Sequence, residues 1–176
     1  MFTNFDCSAC FVKDATGLIR TFEILPEYLK TRTRGRVNDY RDWGIPLGRR
    51  FRALKLWFVI RSYGLEGLRE KVRQHISYAA WLAERVREHP VFEMMAPHSL
   101  NTVCFRYRPE KSSEEALNEI NEKLNHKLND TGKLYLTHTM IKGKYSLRMV
   151  TSQTNTKLDN VKRAWELISL TAAGIQ

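Results

Sequence analysis

Residues 53–60, ALKLWFVI, are apolar at every position except Lys55. From Arg49 onward the chain is expected to be helical, so this run describes a helix that is greasy around nearly its whole circumference. Such a helix belongs in the interior of something large. A chain of 176 residues can bury one core of ordinary size, and the segments that follow claim that core for themselves. The run therefore predicts a helix that this chain cannot cover alone, and an uncovered apolar patch of that size promotes self-association.

The remaining pattern sorts into two styles. After Gly64 a second helix is expected to reach about His89, with Leu65, Leu68, Val72, Ile76, Ala79, Leu82 and Val86 at steps of three and four forming one apolar stripe. Pro90 ends it, and the only composition shift in the chain lies there. Beyond it VFEMMA and NTVCFRYR read as strands, and Ser112 with Glu115 reads as a capping box before a helix carrying Leu117, Ile120, Leu124 and Leu128. LYLTHTMI and KYSLRMV flank Lys142-Gly143 as a hairpin, and a last helix from near Thr156 aligns Leu158, Val161, Trp165 and Ile168. The order β-β-α-β-β-α implies a small antiparallel sheet with helices on one side. Before residue 49 the reading is looser: a strand over 3–13, a turn over 14–17, a second extended piece LIRTFEI, then a basic loop from Pro26 to Asp42 closed by Ile45-Pro46-Leu47-Gly48. The fold class expected is α/β, becoming α+β in its C-terminal part.

Charge is uneven. The net charge is +10, and residues 30–61 hold ten basic side chains against Asp39 and Asp42. That resembles a polyanion footprint, but Trp57 and Phe58 sit within the apolar run instead of standing free to stack on bases. No nucleic-acid-binding motif is present, so a nucleic-acid partner is not expected. The alternative is a helix start whose free amides and flanking arginines favour anionic groups, with Pro46 stiffening the turn, Gly48 allowing close backbone approach, and the arginines pairing with carboxylates elsewhere. Three cysteines give no disulfide framework. Cys7 and Cys10 form an isolated CxxC, and the five histidines lack ligand spacing, so no metal site is expected. No window has the length of a membrane span, and the start has no basic leader before its apolar residues, so a cytoplasmic protein with no membrane partner is expected.

Three stretches, NFDCSACFVKD (4–14), PEYLK (26–30) and DYRDWGIPLGRRFRALKLWFVIRSYG (39–64), resemble the C-terminal portion of the pyridoxal-phosphate-dependent group II amino-acid decarboxylases, most closely the aromatic-L-amino-acid decarboxylases. The resemblance runs end to end and weakens after Pro90. It implies a fold-type I enzyme acting as a homodimer on an amino-acid substrate, with pyridoxal 5'-phosphate as the electron sink while carbon dioxide leaves. Residues 1–46 would close the large cofactor domain and carry its catalytic loop, residues 47–90 would be connecting helices, and residues 91–176 the small C-terminal domain. The lysine that forms the internal aldimine in this family would fall two residues before Met1, so no cofactor-binding residue is expected within the chain, which alone is expected to be inactive.

Individual matches imply individual roles. Tyr28 matches the loop tyrosine that protonates the substrate's Cα, and related aldehyde-forming enzymes resemble phenylalanine there. Phe5 matches the phenylalanine beside the substrate ring. Leu47 and Gly48 match the turn that reaches the neighbouring subunit's pocket, where glycine leaves room for a catechol or indole. Tyrosine, dopa, tryptophan and phenylalanine all remain open as substrates. The loop TRTRGRVN is shorter and more basic than in animal relatives. Two other readings stand beside this one: a glutamate or diaminobutyrate decarboxylase fragment, disfavoured by Ile45-Pro46-Leu47-Gly48, and a non-catalytic interaction module that pairs through the apolar helix.

Overall fold

At Gly64 the backbone takes φ 66° and ψ 174°, a combination that only a residue without Cβ holds without strain. The helix α2 (Arg52–Glu88) breaks there. The computed structural model describes residues 2–23, 37–110 and 112–175, and the chain forms two units, Met1–Gly64 and Leu65–Gln176.

In the first unit, α1 (Ala15–Phe22) is a short helix started by Asp14, whose carboxylate accepts from the Thr16 amide at 2.9 Å. This corrects the sequence reading, which made residues 14–17 a turn and LIRTFEI an extended piece. The N-cap aspartate outweighs the β-branched residues that suggested a strand. Nor do residues 3–13 form a strand; they run irregularly alongside the start of α2. A four-residue 3-10 turn (Tyr40–Trp43) packs against α1. It buries Asp42, which accepts from Arg41 Nε at 3.1 Å. The helix begins at Arg52, three residues later than the expected start at Arg49.

The second unit has the expected order. It runs from the C-terminal half of α2 (65–88) through β1 (Phe92–Met94), β2 (Thr102–Tyr107), α3 (Glu114–Asp130), β3 (Thr137–Ile141) and β4 (Lys144–Val150) to α4 (Leu158–Ala173). The four strands form one antiparallel sheet in the order β1-β2-β4-β3, registered by Phe92 opposite Tyr107, Phe105 opposite Leu147 and His138 opposite Leu147. Lys142 and Gly143, both at positive φ (52° and 76°), close the β3–β4 hairpin, as a two-residue loop requires.

One sheet face carries Phe92, Val103, Phe105, Tyr107, Tyr145 and Leu147. Against it lie Ala79, Leu82, Ala83 and Val86 of α2, Leu124 and Leu128 of α3, and Val161, Trp165, Ile168 and Ala172 of α4. The α2 stripe is shifted from its sequence reading. Leu65 and Val72 are exposed, whereas His75 and Ala83 are buried. The α3 N-cap is Ser113, whose hydroxyl accepts from the Ala116 amide at 3.3 Å, one residue after the predicted Ser112.

Candidate functional site

The residues singled out in the sequence all fall in the first unit. Phe5 is 100 % exposed, Leu47 is 59 % exposed, and a Cβ built on Gly48 would meet nothing within 4 Å. At Gly44, which was not singled out, an added Cβ would stand 2.2 Å from Arg49 Nη2. Tyr28 lies outside the described residues.

What organises this unit is a contact between its first residues and the opening turn of α2. Arg52 Nε donates to Asp6 Oδ2 at 3.0 Å. One turn further on, Lys55 Nζ donates to the carbonyl oxygens of Asn4 at 3.0 Å and Asp6 at 2.9 Å. Spacing of three on a helix puts both cations on one face, and the extended segment runs across that face. Cys7 Sγ lies 3.9 Å from the Arg52 carbonyl, and the Phe2 ring sits 5.6 Å from Tyr63. A hydrogen bond with its own backbone, followed by the Arg52 guanidinium, holds the Asp6 carboxyl below its ordinary value. Both side chains of the Arg52–Asp6 pair are about two-fifths exposed (39 % and 44 %), so the pair sets geometry more than it stabilises.

Sequence reasoning looked for the carboxylate partners of these arginines outside the chain, in the remainder of the enzyme or a second subunit, and did not single out Asp6, Arg52 or Lys55; Arg52 finds its partner within the chain. The available signal was the i, i+3 pair of cations at a helix start together with Asp6, the one charged residue of 3–12. On the remainder of the helix, Trp57 is 54 % and Phe58 57 % exposed, with Leu54 and Ile60 exposed as well, and Phe51 just before the helix is exposed too. Arg61 lies over the Trp57 ring at 5.9 Å. Cys7, Cys10 and Cys104 are free thiols, and among the described residues no three His, Cys, Asp or Glu side chains group to hold a metal ion. No described helix is long and apolar enough to cross a membrane.

Comparison with known proteins gives a consistent set of likenesses. The family model for the pyridoxal-dependent decarboxylase conserved domain matches residues 1–108. Tyrosine decarboxylase 2 of Narcissus pseudonarcissus is 40% identical over 167 residues, which is 94% of this chain and 33% of that protein. Phenylacetaldehyde synthase of Arabidopsis thaliana is 43% identical, over 94% of this chain and 34% of that protein. Among solved structures, the Oryza sativa TDC with PLP and tryptamine superimposes with a TM-score of 0.87 at 37% identity, covering 94% of this chain and 35% of that one. The chain thus spans about a third of the length of the curated relatives it matches.

Proposed function

The chain belongs to the pyridoxal-dependent decarboxylases, and from that premise we propose that it is the C-terminal part of an enzyme that converts aromatic L-amino acids to amines with release of carbon dioxide. The observation that carries this reading is the extent and degree of likeness: about 40% identity over 94% of the chain to a tyrosine decarboxylase. A pocket that accepts one aromatic ring rejects its neighbours by only ~1–3 kcal/mol per small group, so tyrosine, dopa, tryptophan and phenylalanine are all candidate substrates.

The family's cofactor, pyridoxal phosphate, draws off the electron pair freed when carbon dioxide leaves. At the opening turn of α2 the two cations are already engaged. Lys55 has its ammonium committed to two carbonyl oxygens and Arg52 its guanidinium to Asp6, so neither cation is disposed toward an aldehyde or a phosphate. The roles proposed for this chain concern the substrate. Phe5, fully exposed, lies beside the aromatic ring. Leu47 and Gly48, on an exposed turn, complete the pocket of a second subunit in a homodimer. Tyr28 donates its phenolic proton to the substrate's Cα on the product side, and a tyrosine there favours amine over aldehyde formation. Residues 1–46, 47–90 and 91–176 serve as the end of the large domain, connecting helices and small domain of a cytoplasmic enzyme. With a third of the relatives' length, the 176 residues alone are proposed to be inert.

A fusion of the upstream portion of the Oryza sativa protein to this chain, assayed for amine release from the four aromatic amino acids, tests the proposal. Amine and carbon dioxide in equal amounts are expected, with amine release falling about 100-fold in Tyr28→Phe. The 176-residue chain alone should release none. A fusion active on glutamate and inert on all four aromatic substrates would overturn the reading.

A further inference from the structure

Phe5 is one of several exposed apolar side chains of the first unit, with Phe11 at 95 %, and the main chain around it is what marks it out. A phenylalanine is ordinarily drawn into a core, yet this one is fully exposed on a stretch of main chain that is held on both sides. Lys55 bonds the carbonyl oxygens of the residues before and after it, Asn4 and Asp6, and Arg52 bonds the Asp6 carboxylate. These partners are 46 to 51 residues apart in sequence, so the contacts are tertiary and not a by-product of local chain geometry. Two of the three bonds go to peptide oxygens, which fixes the position of the backbone whatever side chain it carries. Cations that served only to neutralise an acid would have no need of those oxygens.

We propose that Arg52 and Lys55 are positioning residues that clamp the chain at Asn4 and Asp6, the residues on either side of Phe5, so that its ring is presented in a set place to the aromatic ring of the substrate. This rests on the functional reading above. The clamp restricts the main chain on either side of Phe5, leaving the ring to turn only about its own side-chain bonds. A ring held in place before the substrate arrives loses little freedom on contact, and the gain appears as tighter substrate binding. Loss of the clamp should therefore raise KM while leaving the chemical step nearly untouched, because neither cation is placed at a reacting atom.

Two measurements test this. In the 176-residue chain, Lys55→Met should loosen the backbone of residues 4–6, read as a fall in their NMR order parameters into the flexible range, below about 0.6, with Lys55→Arg restoring them and residues 65–175 unchanged as the control for folding. In the fusion enzyme, Lys55→Met and Arg52→Gln should each raise KM for the preferred aromatic substrate roughly tenfold with kcat within about twofold, and Lys55→Arg should recover most of the loss. Unchanged order parameters in Lys55→Met would overturn the clamp. A loosened backbone with an unaltered KM, or a fall in kcat at constant KM, would overturn the positioning role. An unaltered fusion that releases no amine would count against the function itself and take the proposal with it, an outcome distinguishable because the control has then already failed.

Discussion

Arg106 has 1 % of its surface open, and a guanidinium so enclosed has to be matched by acids or it destabilises the fold. It is matched twice, by Glu93 on the neighbouring strand and by Glu114 in the first turn of α3, which receives Nη1 at 2.8 Å and Nη2 at 3.2 Å. Arg108 and Lys144 extend the network to the same two acids. The hydrogen bonds from Arg106, chiefly, pull the Glu114 carboxyl down to about 2 from an ordinary 4.5. A carboxyl lowered on folding contributes stability that is present above its ordinary value and lost as pH falls toward the folded one. Thermal unfolding should accordingly show the native chain more stable than Glu114→Gln above about pH 4.5, with the gap closing toward pH 2. A gap independent of pH would assign Glu114 a role other than charge. None of this was legible beforehand, because an arginine alternating with apolar residues in NTVCFRYR reads as the wet face of a strand, and one of its two acids, Glu114, comes from a helix that arrives later in the chain.

At the scale of elements, the leucines of α3 were readable from their spacing, whereas its asparagines were not. The β2–β4 ladder stops at Phe105 opposite Leu147, leaving peptide groups of both strands without a strand partner beyond it. Asn121, fully buried, accepts from the Tyr107 amide at 2.8 Å and donates to the Tyr107 carbonyl at 2.7 Å, while Asn118 accepts from the Tyr145 amide at 2.7 Å and donates to Gly143 at 3.0 Å. Asn129 treats both main-chain groups of Leu136 the same way. The helix thereby stands in for missing strand pairs, so its seating is specified by hydrogen bonds as well as by Leu117, Leu124 and Leu128. Asn121→Ala strands a buried N–H and a buried C=O and should lower stability by about 2–3 kcal/mol, read as a shift in the urea midpoint at constant slope. A shift near zero would mean that water replaces the amide. The β-β-α-β-β-α order was legible because period-two and period-3.6 runs alternate cleanly there; α1 was missed because its identity turns on one capping carboxylate.

For the molecule as a whole, the apolar run at 53–60 behaves as its composition required: Trp57, Phe58 and Ile60 are exposed in a chain that uses its core for the sheet. The 176-residue chain should self-associate at micromolar concentrations, and sedimentation of a Trp57→Glu, Phe58→Glu variant should return it toward monomer. A monomeric unaltered chain would show that this face is covered in solution. The family was legible from one long motif, but the candidate site was only partly so, since Phe5, Leu47 and Gly48 lie on separate stretches whose relation depends on contacts such as Arg52 with Asp6. Gly64 explains why the two halves of α2 tell such different stories. With its backbone at φ 66° and ψ 174°, the angular count of residues around the helix restarts, so a wheel drawn straight through it mixes two unrelated phases. Each half can then change its greasy side to suit its own neighbours without turning the other out of step.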